Sequence, residues 1–339
     1  MRLCDLSSMP VQPFLLSSLL VGLICLCPAG FSTEPKYDPM AVSAAAIVRT
    51  LDLVMEDLDR DREIPLRVYL PGDDEPAPVI LFSHGLGGSC LNNPYLGNHW
   101  AARGYVAVFM QHHGSDESIW KDVPREERTK SIKSAVSYQN AKLRFIDVSV
   151  VIDQLEAWNI DGSHVLNERM NLEKIGMSGH SFGAVTTQAV AGQKRLLGLV
   201  NYTDERIDAA LAMSPSVPKG GRPKQMFNDV AIPWLLMTGT RDVSKIGGAD
   251  VANRLSVFPA LPAGDKYELV LYDAEHSAFS ERALPGDQIS RNSNHHRAIL
   301  AISTAYWDAY LRCDDRAKQW LLNDCAQVVL EKQDRWEWK

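Results

Sequence analysis

Apolar and polar positions change period repeatedly along this chain, and the changes mark out its elements. Residues 47–54 and 63–70 read as two strands, with the charged turn 56–62 between them. Pro78-Val79-Ile80-Leu81-Phe82-Ser83 is a short apolar run suited to a buried parallel strand. Further strands are expected at 105–110, about 174–177, 207–213, 233–239 and 266–271. Helical stretches lie between them. One covers about 93–103. A long amphipathic pattern, with Leu143, Ile146, Val150 and Leu155 on one face, ends near Trp158. A third runs to about Gly192, and two more close the chain at about 292–311 and 315–331. A polar loop spans Gln111 to about Lys130. Strands alternating with helices predict an α/β fold, a mostly parallel central sheet with helices on both faces. No linker or second composition zone interrupts residues 30–339, so one domain is expected there.

The first thirty residues break the pattern. Phe14 to Leu26 is apolar and uncharged, Arg2 lies upstream, and Cys27-Pro28-Ala29-Gly30 offers small residues for cleavage. Residues 1–29 therefore read as a signal peptide, and a secreted or periplasmic location is expected. The run is about 13 residues, short of the roughly 20 that span a bilayer, so no stable membrane insertion is expected after cleavage. Of the six cysteines, Cys4, Cys25 and Cys27 leave with that segment. In an oxidising compartment Cys313 and Cys325 are expected to form a disulfide across a helix-like segment, while Cys90 packs in the interior. The 45% hydrophobic and 23% charged content over 339 residues is that of an ordinary globular chain. A net charge of −7 without a Lys/Arg run argues against a nucleic-acid partner.

The candidate chemistry centres on Gly179-His180-Ser181-Phe182-Gly183. An apolar run precedes this Gly-x-Ser-x-Gly and a helix-like run follows, which is the strand–turn–helix context of a nucleophile elbow. Ser181 then needs a base, and the base needs an orienting acid. Asp242 follows the strand at 233–239, and His276 follows the strand at 266–271, giving the chain order Ser, Asp, His. Asp250, Asp273 and Glu275 are the competing acids. The oxyanion donors are expected to be the N–H groups of Phe182 and of Leu86, in the Ser83-His84-Gly85-Leu86-Gly87-Gly88 loop. His113, Gly85 and Ser214 are the expected substrate contacts. Neither His112-His113 nor His295-His296 is joined by Cys, Asp or Glu at metal spacing, so neither a metal nor another cofactor is expected.

Arg60 to Pro71, the Phe82-to-Gly88 stretch, Gly179 to Gly183 and the two late loops together resemble the platelet-activating-factor acetylhydrolase and dienelactone-hydrolase-like branch of the α/β-hydrolases. The resemblance covers roughly residues 45 to 312. It implies the α/β-hydrolase fold, Ser181 as nucleophile, and Leu86 and Phe182 as oxyanion donors. Two departures matter. Acetylhydrolases of this type can place the acid after the strand that follows the elbow helix, but Leu211-Ala212-Met213-Ser214-Pro215 holds no carboxylate. Dienelactone hydrolases use a cysteine nucleophile, whereas this chain has Ser181. The late cysteine pair also loosely resembles secreted polyester hydrolases.

The expected activity is hydrolysis of carboxylic esters, with a small-molecule, lipid or polymer substrate. An acyltransferase or peptidase on the same triad is the first alternative, and a non-catalytic binding protein with a relic elbow is the second. Charge in the 111–130 loop argues against a broad apolar lid and for short acyl chains.

Overall fold

The structure, a computed structural model, describes residues 36–44, 46–195, 200–284 and 287–339, so the expected signal segment 1–29 lies outside the described residues. Among these residues the strands are β1 (Val48–Asp57), β2 (Arg62–Pro71), β3 (Ala77–Ser83), β4 (Val106–Met110), β5 (Met170–His180), β6 (Ile207–Met213), β7 (Trp234–Arg241), β8 (Lys266–Glu275) and β9 (Arg335–Trp338). They form one sheet in the order β1-β2-β4-β3-β5-β6-β7-β8-β9. β2 is antiparallel to β1 and β4, and β9 is antiparallel to β8. From β4 through β8 every neighbouring pair is parallel.

The helices are α1 (Pro94–Ala102), α2 (Ser118–Lys121), α3 (Arg128–Ala135), α4 (Tyr138–Ile160), α5 (Phe182–Val190), α6 (Pro223–Phe227), α7 (Val251–Leu255), α8 (Ser293–Leu311) and α9 (Asp315–Leu322). They cover both faces of the sheet. Side chains alternate across a strand, so Val79 and Leu81 of β3 meet Phe145, Val148 and Ile152 of α4 in one core. Ile80 and Phe82 meet Trp100 of α1 and Ile302 and Trp307 of α8 in the other. The continuous apolar runs follow from this two-sided burial. Residues 37–339 make one compact unit, and no helix of the described residues is long and apolar enough to cross a membrane.

Four expectations are corrected. Helix α4 buries Ala141, Arg144, Phe145, Asp147, Val148, Val151, Ile152 and Leu155, so of the expected apolar face only Leu155 is fully buried. Arg144 and Asp147 interrupt the true apolar stripe and so shift its apparent position. The polar loop 111–130 contains α2 and the start of α3. The last expected helix stops at Leu322, where Asn323 is extended (φ −111°, ψ 175°), and a 3-10 turn follows at Asp324–Val329. Cys313 and Cys325 are free thiols, not a disulfide. α9 separates them, and eight helical residues rise about 12 Å, more than the roughly 7 Å between Cα atoms that a disulfide bridges. Cys90 is buried, as expected, and burial pushes its thiol up to about 11. The tail also docks: Trp336 stacks on Tyr267 at 5.6 Å, and its ring N–H donates to Leu321 O at 2.9 Å.

Candidate active site

β5 ends at His180 and α5 begins at Phe182, so Ser181 alone makes the turn. Its backbone sits at φ 58°, ψ −111°, a conformation costing a non-glycine residue about 1–3 kcal/mol. The Ser181 N–H donates to Met213 O at 2.9 Å and ties the turn to β6. The flanking glycines have a steric cause. A β-carbon on Gly183 would lie 1.8 Å from Ser83 O, and one on Gly179 would lie 2.5 Å from the Gly183 carbonyl.

β7 and β8 run parallel to β5, so the loops holding Asp242 and His276 open on the same sheet edge as Ser181. His276 Nε2 accepts from the Ser181 hydroxyl at 2.8 Å. His276 Nδ1–H donates to Asp242 Oδ1 at 2.7 Å. Asp242 is fully buried, and its Oδ2 accepts from Thr238 Oγ1 at 2.9 Å. Burial alone would raise its pKa, but the His276 hydrogen bond and charge, with the Arg254 charge, hold it below the usual carboxylate range. Arg254 of α7, itself buried, lies 2.8 Å from Asp242 Oδ1 and donates to Ser214 O at 2.7 Å and Pro215 O at 3.0 Å.

The competing acids are occupied elsewhere. Asp250 caps α7 by accepting from Asn253 N at 2.8 Å. Asp273 pairs with Arg241 at 2.7 Å. Glu275 accepts from the backbone of Gln288 and Ile289 at about the hydrogen-bond distance of 3.0 Å.

Leu86 lies in the loop that follows β3, and Phe182 opens α5. Neither N–H is engaged by an acceptor among the described residues. A β-carbon built on Gly85 would lie 3.6 Å from Ser181 Cβ, which brings this loop directly against the elbow. The loop is pinned beyond Leu86, where Gly87 N–H donates to Ser115 O at 2.9 Å and Trp120 Nε1 donates to Gly87 O at 2.7 Å. Of the remaining expected contacts, His113 is exposed on the loop after β4. Ser214 is fully buried at φ 62°, with its carbonyl taken by Arg254.

Three contributors escaped sequence reasoning. His180, the variable residue of the pentapeptide, packs its ring 4.8 Å from the His276 ring and donates from Nε2 to His276 O at 3.0 Å. Burial, then the neighbouring His276, lowers its pKa to about 3, so it stays neutral and braces the backbone of His276. Arg254 and Arg144 are the other two. The only sequence signal for Arg144 is its position within the apolar spacing Ala141, Phe145 and Val148.

A second Ser–His–Asp chain lies beneath the site. Ser83 Oγ meets His112 Nε2 at 2.9 Å, and His112 Nδ1 meets Asp147 Oδ2 at 2.9 Å. All three residues are fully buried, so this chain braces the fold and offers no nucleophile to solvent. Burial, then the Arg144 charge, lowers the His112 pKa to about 4. No protein-family model matches the chain, and a search of curated proteins found no match.

Proposed function

We propose that this protein is a secreted serine hydrolase of the α/β-hydrolase fold that cleaves carboxylic esters. The observation that carries the reading is the unbroken path from the Ser181 hydroxyl through His276 to the buried Asp242, at 2.8 and 2.7 Å. The strand–turn–helix around Ser181 and the chain order of acid and histidine support the fold assignment.

His276 takes the Ser181 proton as Oγ attacks the ester carbonyl. The N–H groups of Leu86 and Phe182 receive the developing oxyanion. The imidazolium is stabilised by Asp242, which also fixes the tautomer that leaves Nε2 free. His276 then protonates the leaving alcohol and activates water to release the acyl group. No step calls for a metal or a redox group.

The test is turnover of p-nitrophenyl acetate together with fluorophosphonate labelling of the purified chain. Ser181→Ala is expected to abolish labelling and lower turnover at least about 10⁴-fold with the fold retained, because triad members act as a unit. Near-normal turnover by that variant overturns the proposal. Anilide substrates run alongside separate an esterase from a peptidase, and an acyl series from acetate to palmitate tests the short-chain expectation.

A further inference from the structure

We infer that Arg144 is a positioning residue for the oxyanion hole, holding the Leu86 loop and the Phe182 turn in register. The inference rests on the reading of Ser181 as an ester-cleaving nucleophile. Arg144 is a fully buried cation on the sheet-facing side of α4. Among the described residues it forms no salt bridge within 4.0 Å, although the charges of Asp147 and Asp116 act on it from farther off. Asp147, three residues on, spends its oxygens on His112, Arg60 and Arg62. A buried charge without an ion pair is costly unless it is hydrogen-bonded. Here all three guanidinium nitrogens donate, in four hydrogen bonds, to uncharged groups on the segments around the two oxyanion donors.

Arg144 Nη2 donates to Ser83 Oγ at 3.0 Å and to the carbonyl of His84. Ser83 ends β3, and His84 opens the loop that carries Leu86. Nη1 donates to Ser115 Oγ at 2.9 Å, and Ser115 O is the acceptor for Gly87 N–H. The loop is therefore held on both sides of Leu86. Nε donates to Thr186 Oγ1 at 3.1 Å, and that hydroxyl donates to Phe182 O at 3.1 Å. The guanidinium carbon also lies 4.6 Å from the centre of the Phe182 ring, a cation–π contact. One planar group thus reaches β3, both loops and α5. A lysine offers three donors from a single point and cannot make the same set. Burial lowers the Arg144 pKa to about 9, which leaves it charged at neutral pH.

The test compares wild type with Arg144→Met, Arg144→Lys and Thr186→Val, each normalised to active sites counted by fluorophosphonate labelling taken to completion. Readouts are kcat and KM for p-nitrophenyl acetate and the Ki of phenylboronic acid, which forms a tetrahedral adduct on serine. Loss of one oxyanion donor lowers kcat about 10²- to 10³-fold, so Arg144→Met is expected to lose about 10²-fold in kcat with KM within a factor of about three. Its boronate Ki is expected to weaken in parallel. Arg144→Lys is expected to recover only part of the loss, and Thr186→Val to show a smaller loss in the same direction. A merely structural role would lower the number of labelled sites and leave kcat per site unchanged. Wild-type kcat per site in the Arg144 variants overturns the inference. If neither Arg144 variant folds, wild-type kcat and Ki in Thr186→Val overturn it. Absence of turnover and labelling in the wild type would sink the esterase reading and the inference with it, an outcome distinct from either of these.

Discussion

A β-carbon on Gly183 would stand 1.8 Å from the carbonyl oxygen of Ser83. The first turn of α5 thus rests directly on the end of β3, which places the elbow beside the loop that carries Leu86. Gly183→Ala must push the two backbones apart. It is expected to destabilise the fold by about 3 kcal/mol, the upper range for overpacking, and to suppress labelling of Ser181. Thermal unfolding and fluorophosphonate labelling check this, and an unchanged Tm would contradict the close approach.

The strain at Ser181 gives a second expectation. At φ 58°, ψ −111°, the backbone suits glycine better than any residue with a side chain. Ser181→Ala keeps that strain, whereas Ser181→Gly releases it. Of the two inactive variants, Ser181→Gly is expected to be the more stable by about 1 kcal/mol, because relief of strain exceeds the extra unfolded-state entropy of glycine. Equal melting temperatures would remove the strain from the account.

Under the proposed mechanism, Asp242 and Asp250 separate activity from stability. Asp242 Oδ1 accepts from His276 Nδ1 at 2.7 Å, whereas Asp250 caps α7. Asp242→Asn is expected to lower kcat about 10⁴-fold, because an amide facing Nδ1 favours the wrong tautomer. Asp250→Asn is expected to retain activity and cost under about 1 kcal/mol, since asparagine also caps helices well. The reverse pattern would move the acid to Asp250.

The sequence was legible where local pattern decides structure. β6 was read over its observed span of Ile207–Met213, because an apolar run bounded by polar residues fixes both ends. Ser181, Asp242 and His276 were legible because an elbow and two strand ends announce their loops. β9 was not, since the four residues Arg335–Trp338 become a strand only by pairing with β8, far away in sequence. The correct face of α4 was hidden for a related reason. Arg144 and Asp147 look like solvent positions until β3, the elbow helix, His112, Arg60 and Arg62 supply their partners. Buried charge is a tertiary fact, and no single-helix pattern carries it.

Glu268 makes stability depend on pH in a direction that can be derived. It is buried on β8, its Oε1 has no hydrogen-bond partner, and Glu337 of β9 is its cross-strand neighbour. Arg335 and Lys339 are the cations that lower its pKa, and both are engaged elsewhere. Arg335 lies 3.8 Å from Glu337, while Lys339 Nζ donates to Phe258 O at 2.8 Å and Leu261 O at 2.7 Å. Burial first, and Glu337 second, push the Glu268 carboxyl up to about 7. Its folded pKa therefore exceeds its unfolded pKa of about 4.5, so the folded state holds the proton longer. The associated stability is complete below about pH 4.5 and is lost as pH rises through about 7. The difference corresponds to about 3 kcal/mol, at 1.36 kcal/mol per unit. Glu268→Gln cannot ionise and so removes this slope. Urea unfolding at pH 5 and pH 8 is expected to place the variant near wild type at the lower pH and about 2–3 kcal/mol above it at the higher. The same offset at both values would mean that Glu268 already ionises freely in the folded protein.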